Sequence, residues 1–118
     1  MENGYLALGL DGNDGSNVRG NTQLQTGLWY HVVGTWDGSN IRIYVNGVLD
    51  KTPTARVAPI LIDTRPVYLG GRSGADLFDG LLDDVRMFNH ALSQDEINTL
   101  KTQGVLKGVR VVRWREIR

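Results

Sequence analysis

The length, charge and cysteine content of the chain exclude several classes of protein. Its 118 residues are the size of one domain. The charges of its 13 basic and 13 acidic side chains cancel. Because no general cationic field then attracts nucleic acid, we predict no nucleic-acid binding. The chain has no cysteine, which excludes disulfides and thiol catalysis. It has neither a signal-peptide pattern nor a run approaching the ~20 apolar residues of a membrane span, so we predict no membrane insertion.

Short strand-like runs recur through the first third of the chain. Residues 5–10 predict a strand that ends at the polar, glycine-rich segment 11–17, and a weaker run covers residues 18–25. Residues 29–36 are rich in aromatic and β-branched side chains, which favours a third strand. This spacing is typical of an all-β chain.

The clearest strand covers residues 41–45, where apolar β-branched side chains alternate with an arginine and a tyrosine. That period of two is typical of a strand buried on one face only. Asn46 and Gly47 follow directly and favour a type I′ turn, because both central positions of that turn need positive φ. Residues 48–52 are therefore predicted to return antiparallel.

The second half of the chain predicts shorter strands and one helix. Residues 60–62 and 67–70 are interpreted as short strands, and residues 78–88 as a buried strand with a bend at its glycine. The basic tail predicts a last strand over residues 109–117.

The helix is predicted over residues 94–103 from a capping box at its start. Ser93 can accept from the Glu96 N–H while the Glu96 carboxylate reaches back to Ser93. Leu92 before the cap can pack against Ile97 as a hydrophobic staple.

Three segments, in this order, resemble the laminin G-like jelly-roll family. They are GLWYHVVGTWDG at 27–38, IRIYVNG at 41–47 and FDGLLDDVRMFNHAL at 78–92. The resemblance covers residues 5–100 and implies an antiparallel two-sheet jelly-roll sandwich of the concanavalin A-like type, with one short C-terminal helix, in a single domain over 1–118. It also implies a non-catalytic binding module that works outside the cell or on its surface.

The chain departs from the family pattern at both ends. Family domains begin with further strands before the equivalent of Tyr5, including one beside the strand equivalent to 83–88, so the sandwich is expected to be N-terminally shortened and one sheet incomplete. The tail, residues 105–118, is additional. It either pairs beside residues 83–88 or pairs with another copy of the chain, giving a homodimer or other homo-oligomer.

Related hydrolases use closely spaced carboxylates in an E-x-D-x-x-E arrangement, which this sequence lacks. Asp83 and Asp84 are adjacent, so on a strand they point to opposite faces and cannot act on one bond. His31 and His90 have no nucleophile-elbow serine, and both are interpreted as satisfied, partly buried histidines. We predict that the chain is not an enzyme.

The resemblance implies one metal site. Asp83 matches an aspartate that contributes to a structural Ca²⁺ site in related domains. Calcium needs six to eight oxygens, which one aspartate cannot supply. The alternative is a carboxylate that pairs with Arg86 or accepts from a turn amide.

Sugars bind to exposed aromatic rings flanked by polar side chains. Trp29 and Tyr44 lie within family core motifs and are predicted to be core, which leaves Trp36 as the candidate platform. The predicted ligand-binding residues are Trp36, Asn40, Arg42, Arg72 and Asp76. The predicted function is lectin-like carbohydrate binding at a rim of the sandwich. The alternative is a structural or protein-interaction domain that self-associates through its incomplete sheet.

Overall fold

The structure is a computed structural model that describes residues 4–10, 17–57, 64, 66–71, 77–103 and 112–113. Short antiparallel strands dominate these residues, with one helix near the C-terminal end. In chain order the elements are β1 Tyr5–Leu8, β2 Val18–Gln23, β3 Val32–Trp36, β4 Asn40–Val45, β5 Val48–Leu49, β6 Thr54–Ala55, β7 Arg86–Met87, α1 Gln94–Gln103 and β8 Val112–Arg113.

The central sheet is built around β4. β3 pairs with it antiparallel from Val32 opposite Val45 to Trp36 opposite Ile41, and β5 and β6 both pair with β4 as well. The φ angles of Asn46 and Gly47 are 51° and 81°. Both are positive, as a type I′ turn requires, which confirms the predicted hairpin.

The antiparallel hairpin of β1 and β2 covers one face of this sheet. Val18, Ile41 and Ile43 form the buried cluster between the two layers. The hairpin leucines and Trp36 pack around it, and Ile43 is 0% exposed. This packing of one antiparallel layer on another is the part of the predicted sandwich that the described residues contain.

Helix α1 covers the opposite face of β4. Tyr44, Leu92, Ile97 and Leu100 form a second buried cluster there. On this face Tyr44 is buried, whereas Asn40 and Arg42 are only partly buried. The prediction of a half-buried strand is therefore confirmed for the first part of β4 and was wrong at Tyr44, where the helix returns over the strand. The prediction that Tyr44 is a core residue is confirmed, since it is 6% exposed.

The start of α1 confirms the predicted capping box. The Glu96 N–H donates to Ser93 Oγ at 3.2 Å, and the Ser93 N–H donates to Glu96 Oε2 at 2.8 Å. Leu92 and Ile97 share the buried cluster, as the staple predicted. The helix has the predicted bounds, Gln94–Gln103.

The predicted strands between the central sheet and the helix were mostly wrong. Residues 67–70 form no strand, and within 78–88 only Arg86–Met87 does. The exposure of the side chains gives the physical reason, since Leu81 is 76% and Leu82 55% exposed. Within the described ranges, no second layer covers these apolar residues. The predicted strand at 60–62 lies outside the described residues.

The tail forms one of the two predicted pairings. β8 pairs antiparallel with β7, with Arg86 opposite Arg113 and Met87 opposite Val112. The ladder is shorter than the predicted strand, whose other residues lie outside the described part of the chain. Pairing with another copy stays a prediction.

Candidate ligand-binding site

The turn at residues 37–40 is held by the Asp37 carboxylate. Its Oδ1 accepts the N–H groups of Ser39 at 2.9 Å and Asn40 at 2.7 Å, and its Oδ2 pairs with Arg42. The hydrogen bond from Arg42, with those from Asn40 and Ser39, lowers the pKa of Asp37 to about 2. The turn and its ion pair are therefore an internally satisfied unit.

Trp36 is half-buried and packs against the cluster beneath the β1–β2 hairpin. Its indole N–H donates to the Arg56 carbonyl oxygen at 2.9 Å. Trp36 lies opposite Ile41 in the ladder, so it shares the hairpin-facing side of the sheet, whereas Asn40 and Arg42 lie on the other side. The structure therefore separates Trp36 from these two residues.

The other predicted ligand-binding residues, Arg72 and Asp76, lie outside the described residues. A role in binding for the predicted set stays a prediction.

Asp83 accepts the Asp84 N–H at 2.8 Å through Oδ1, which is the turn-amide arrangement considered from the sequence. Arg86 bonds to the neighbouring carboxylate, with Nε 3.0 Å from Asp84 Oδ1 and Nη2 2.8 Å from Asp84 Oδ2. Among the described residues no group of three or more histidine or acidic side chains surrounds a position for a metal. These residues do not by themselves fit a calcium site, and calcium at Asp83 stays a prediction.

Trp29 is the exposed tryptophan of the described chain, at 66%, and its neighbour Leu28 is 60% exposed. The prediction that Trp29 is core was wrong, because β3 begins only at Val32 and residues 28–30 precede it outside the sheet. Gly27, with φ 83°, turns the chain there. The Tyr30 hydroxyl accepts the Gln25 N–H at 3.1 Å, which ties the loop across its own ends.

The loop that carries Trp29 is hydrogen-bonded to the turn between β4 and β5. The His31 N–H donates to Asn46 Oδ1 at 3.0 Å, and the Asn46 N–H donates to the His31 carbonyl oxygen at 2.7 Å. These two bonds fix the loop to a rigid hairpin. Trp29 is therefore presented from an ordered position at one end of the sheet.

Helix α1 closes against the same turn. Gln94 Nε2 donates to the Gly47 carbonyl oxygen at 2.6 Å and to Asn98 Oδ1 at 3.2 Å. A Cβ at Gly47 would lie 3.1 Å from Asn98 Oδ1, so the hairpin and helix are in close contact. We call Trp29, Asn46 and Asn98 the rim site, since their exposed side chains belong to three segments that meet at this end of the sheet.

His31 is a partly buried residue of the loop that carries Trp29. Burial lowers its pKa, the charges of Lys101 and Arg86 lower it further, and only Asp84 opposes them. Its Nδ1 is buried and has no hydrogen-bond partner in the described part of the chain, so the prediction of a satisfied histidine was wrong. Its backbone, rather than its ring, positions Asn46.

His90 is exposed and does have side-chain partners. Its Nε2 lies 3.3 Å from Glu96 Oε1 and its Nδ1 3.4 Å from Asn89 Oδ1. The prediction that the His90 ring has hydrogen-bond partners is confirmed. The prediction that His90 is partly buried was wrong, because the residue is exposed.

A family profile of the concanavalin A-like lectin/glucanases superfamily, of laminin G type, matches residues 2–98. The chain belongs to this superfamily as a laminin G-like domain. The adhesion G-protein coupled receptor V1 of Danio rerio is 26% identical over 102 residues, a match that covers 84% of this chain and 2% of the receptor.

A solved structure shows the same similarity. The crystal structure of an S-layer domain-containing protein from Clostridium thermocellum superposes with a TM-score of 0.54 at 27% identity, over 73% of this chain and 45% of that chain. This laminin G-like domain thus spans less than half of either protein.

Laminin G-like domains bind glycan or protein ligands and are generally non-catalytic, so the chain is a binding module. Within the described ranges, no helix has both the length and the apolar character that crossing a bilayer requires.

Proposed function

We propose that this laminin G-like domain is a non-catalytic, lectin-like module that binds a carbohydrate at the rim site, outside the cell or on its surface. The observation that carries the proposal is Trp29, a large aromatic side chain that is 66% exposed on a loop held by hydrogen bonds. The similarity to an adhesion receptor and to an S-layer domain-containing protein supports the location.

The rim site has the chemistry that sugar recognition needs. The apolar C–H face of a pyranose ring packs on an indole, and amide groups beside the ring exchange hydrogen bonds with its hydroxyls. Asn46 and Asn98 are exposed. Because the Oδ1 atom of each already accepts a hydrogen bond, their NH2 groups are the donors that they offer to a sugar hydroxyl. Because the loop is already tied to Asn46, binding orders few groups, which reduces its entropic cost.

The proposal is tested by replacing Trp29 with alanine. After a glycan array identifies an oligosaccharide, calorimetry is expected to show a loss of about 2 kcal/mol, roughly thirtyfold in Kd, as for a central aromatic contact. The fold should be unaffected, since surface substitutions change stability by about 0.5 kcal/mol or less.

Two variants control this experiment. Leu28→Ala removes a similarly exposed side chain from the same loop and should bind as wild type, while Trp29→Phe keeps an aromatic face and should retain part of the affinity. Equal binding by wild type and Trp29→Ala would exclude the rim site. Arg42→Gln tests the predicted site at Trp36, Asn40 and Arg42. Titration with and without a calcium chelator tests the predicted calcium at Asp83.

A second candidate function is protein interaction by self-association. Its support is an apolar surface where residues 66–70 meet 77–82, joined by the Phe78 N–H bond to the Gly70 carbonyl oxygen at 2.7 Å. Its exposed side chains are 51–77% accessible. They are Val67, Tyr68, Leu69, Leu77, Leu81 and Leu82.

Self-association predicts a solution mass that rises with concentration, measured by light scattering. Leu81→Ser with Leu82→Ser should return the wild-type dimer to a monomer, whereas Val57→Ser, at an equally exposed valine elsewhere, should not. A wild-type chain that stays monomeric at the highest soluble concentration would remove this candidate.

A further inference from the structure

The two histidines of the chain, His31 and His90, lie in different surroundings. His90 is exposed, and its Nε2 lies 3.3 Å from Glu96 Oε1. The Nδ1 atom of His31 is buried and has no hydrogen-bond partner among the described residues. A buried polar atom without a partner lowers stability, and an ionised one lowers it more. His31 is therefore the histidine whose protonation would disturb the structure around it.

The backbone of His31 joins the loop that carries Trp29 to the β4–β5 turn. Its N–H donates to Asn46 Oδ1 at 3.0 Å, and its carbonyl oxygen accepts the Asn46 N–H at 2.7 Å. Trp29 lies two residues away in the same loop. A displacement of His31 would therefore reach Trp29 through the chain and Asn46 through these two hydrogen bonds.

The His31 ring lies on the α1 side of the central sheet. The backbone bond to Asn46 extends the β3–β4 ladder by one residue pair beyond Val32 and Val45. Because side chains alternate along a strand, the ring follows Val33 to the same face, and Val33 packs against the cluster under α1. The charged groups that act on the ring must therefore be sought on α1 and near β7.

The charged side chains that act on His31 are Lys101 on α1, Arg86 on β7 and Asp84 just before it. Arg86 bonds to Asp84 through Nε at 3.0 Å and Nη2 at 2.8 Å, so these two charges offset each other. Lys101 has no ion-pair partner within the described ranges. Its side chain lies against the β4–β5 turn, since a Cβ at Gly47 would be 3.2 Å from its Cδ and 3.9 Å from its Nζ. An uncompensated cation beside the ring disfavours an imidazolium.

The same groups set the direction of the pH dependence. Burial lowers the pKa of His31, Lys101 and Arg86 lower it further, and Asp84 opposes them. The folded loop therefore favours the neutral ring. Since the ordinary value is 6.5, the stability that depends on a neutral ring is fully present above that pH and falls as the pH drops below it.

We propose that His31 is an acid switch of the rim site: protonation drives its ring from the buried position, breaks the two bonds to Asn46 and releases the ligand by disordering the loop that presents Trp29. The identity of this ligand rests on the proposed function, whereas the movement of the loop does not. Only molecules with an ordered loop can bind, so the apparent Kd rises as their fraction falls.

The movement of the loop is tested without a ligand, by NMR titration from about pH 7.5 to about pH 5. The indole N–H of Trp29 and the side-chain NH2 of Asn46 are expected to shift with the midpoint at which the His31 ring titrates. His31→Gln should remove both shifts, because glutamine does not titrate, while His90→Gln should keep them. Lys101→Gln should move the midpoint to higher pH.

Two results of this titration would overturn the switch. One is a set of Trp29 and Asn46 resonances that do not follow the titration of His31. The other is a pair of shifts that persists in His31→Gln. An unchanged midpoint in Lys101→Gln would overturn the part assigned to the lysine charge.

Calorimetry with the oligosaccharide identified for the rim site adds the affinity. Wild type and His90→Gln are expected to bind about five- to tenfold more weakly at about pH 5 than at about pH 7.5. His31→Gln should bind nearly equally at the two pH values. An equal loss in His31→Gln, or a wild-type affinity that does not change with pH, would overturn the switch and leave carbohydrate binding in place. Resonances that follow His31 in a chain that binds no oligosaccharide would remove carbohydrate binding and support the movement of the loop.

Discussion

Replacing Ile97 by alanine is expected to lower the free energy of unfolding by about 2–5 kcal/mol. Ile97 is 0% exposed and joins α1 to Tyr44 of the central sheet. Alanine would lose the transfer free energy of the removed carbons and leave a cavity at that contact. Urea unfolding followed by circular dichroism measures the loss as a shift of the midpoint.

A matched control for this prediction is Val57→Ala, which shortens a β-branched side chain that is 77% exposed. Its expected change is within about 0.5 kcal/mol. Because small domains are stable by only about 5–15 kcal/mol, Ile97→Ala is expected to leave a marginal fold. A change below about 1 kcal/mol would show that the helix contributes little to the core.

The helix and the β4–β5 hairpin were predictable because their signals are local. The capping box needs only Ser93 and Glu96 within one turn of chain, and the type I′ turn needs only residues that tolerate positive φ at positions 46 and 47. Neither depends on what else packs nearby. The start of the helix and the position of the turn can therefore be predicted from a few neighbouring residues.

The burial of individual aromatics was not predictable in the same way. Trp29 and Trp36 lie at the two ends of one aromatic run, and the sequence pattern does not show which end enters the sheet. In the structure β3 starts at Val32, which leaves Trp29 outside, while the β1–β2 hairpin packs on Trp36. Exposure of a side chain depends on which layer covers it, and that is a long-range property.

The same argument explains the rim site. Its residues belong to a loop, a turn and a helix, so they form no motif along the chain. Only the fold brings these three segments to one end of the sheet.

Replacing Gly20 by alanine is expected to lower the free energy of unfolding by about 2–4 kcal/mol. A Cβ there would lie 2.3 Å from Asp50 Oδ2 and 3.5 Å from Ile43 Cγ2. The carboxylate must move, and in moving it releases the Asn21 and Thr22 N–H groups that it accepts. Chemical unfolding of Gly20→Ala against wild type measures the loss.

Asp50 provides the control that assigns this loss to the carboxylate. Asp50→Ala alone is expected to cost about 1–2 kcal/mol through its lost hydrogen bonds, and in the double variant Gly20→Ala should cost much less, because the group it strikes is gone. The lowered pKa of Asp50 means that its stabilisation is present above its ordinary value of 3.8 and is lost as the pH falls below it. Asp50→Ala should therefore unfold with a weaker dependence on acid than wild type, and additive losses in the double variant would contradict the proposed contact between Gly20 and Asp50.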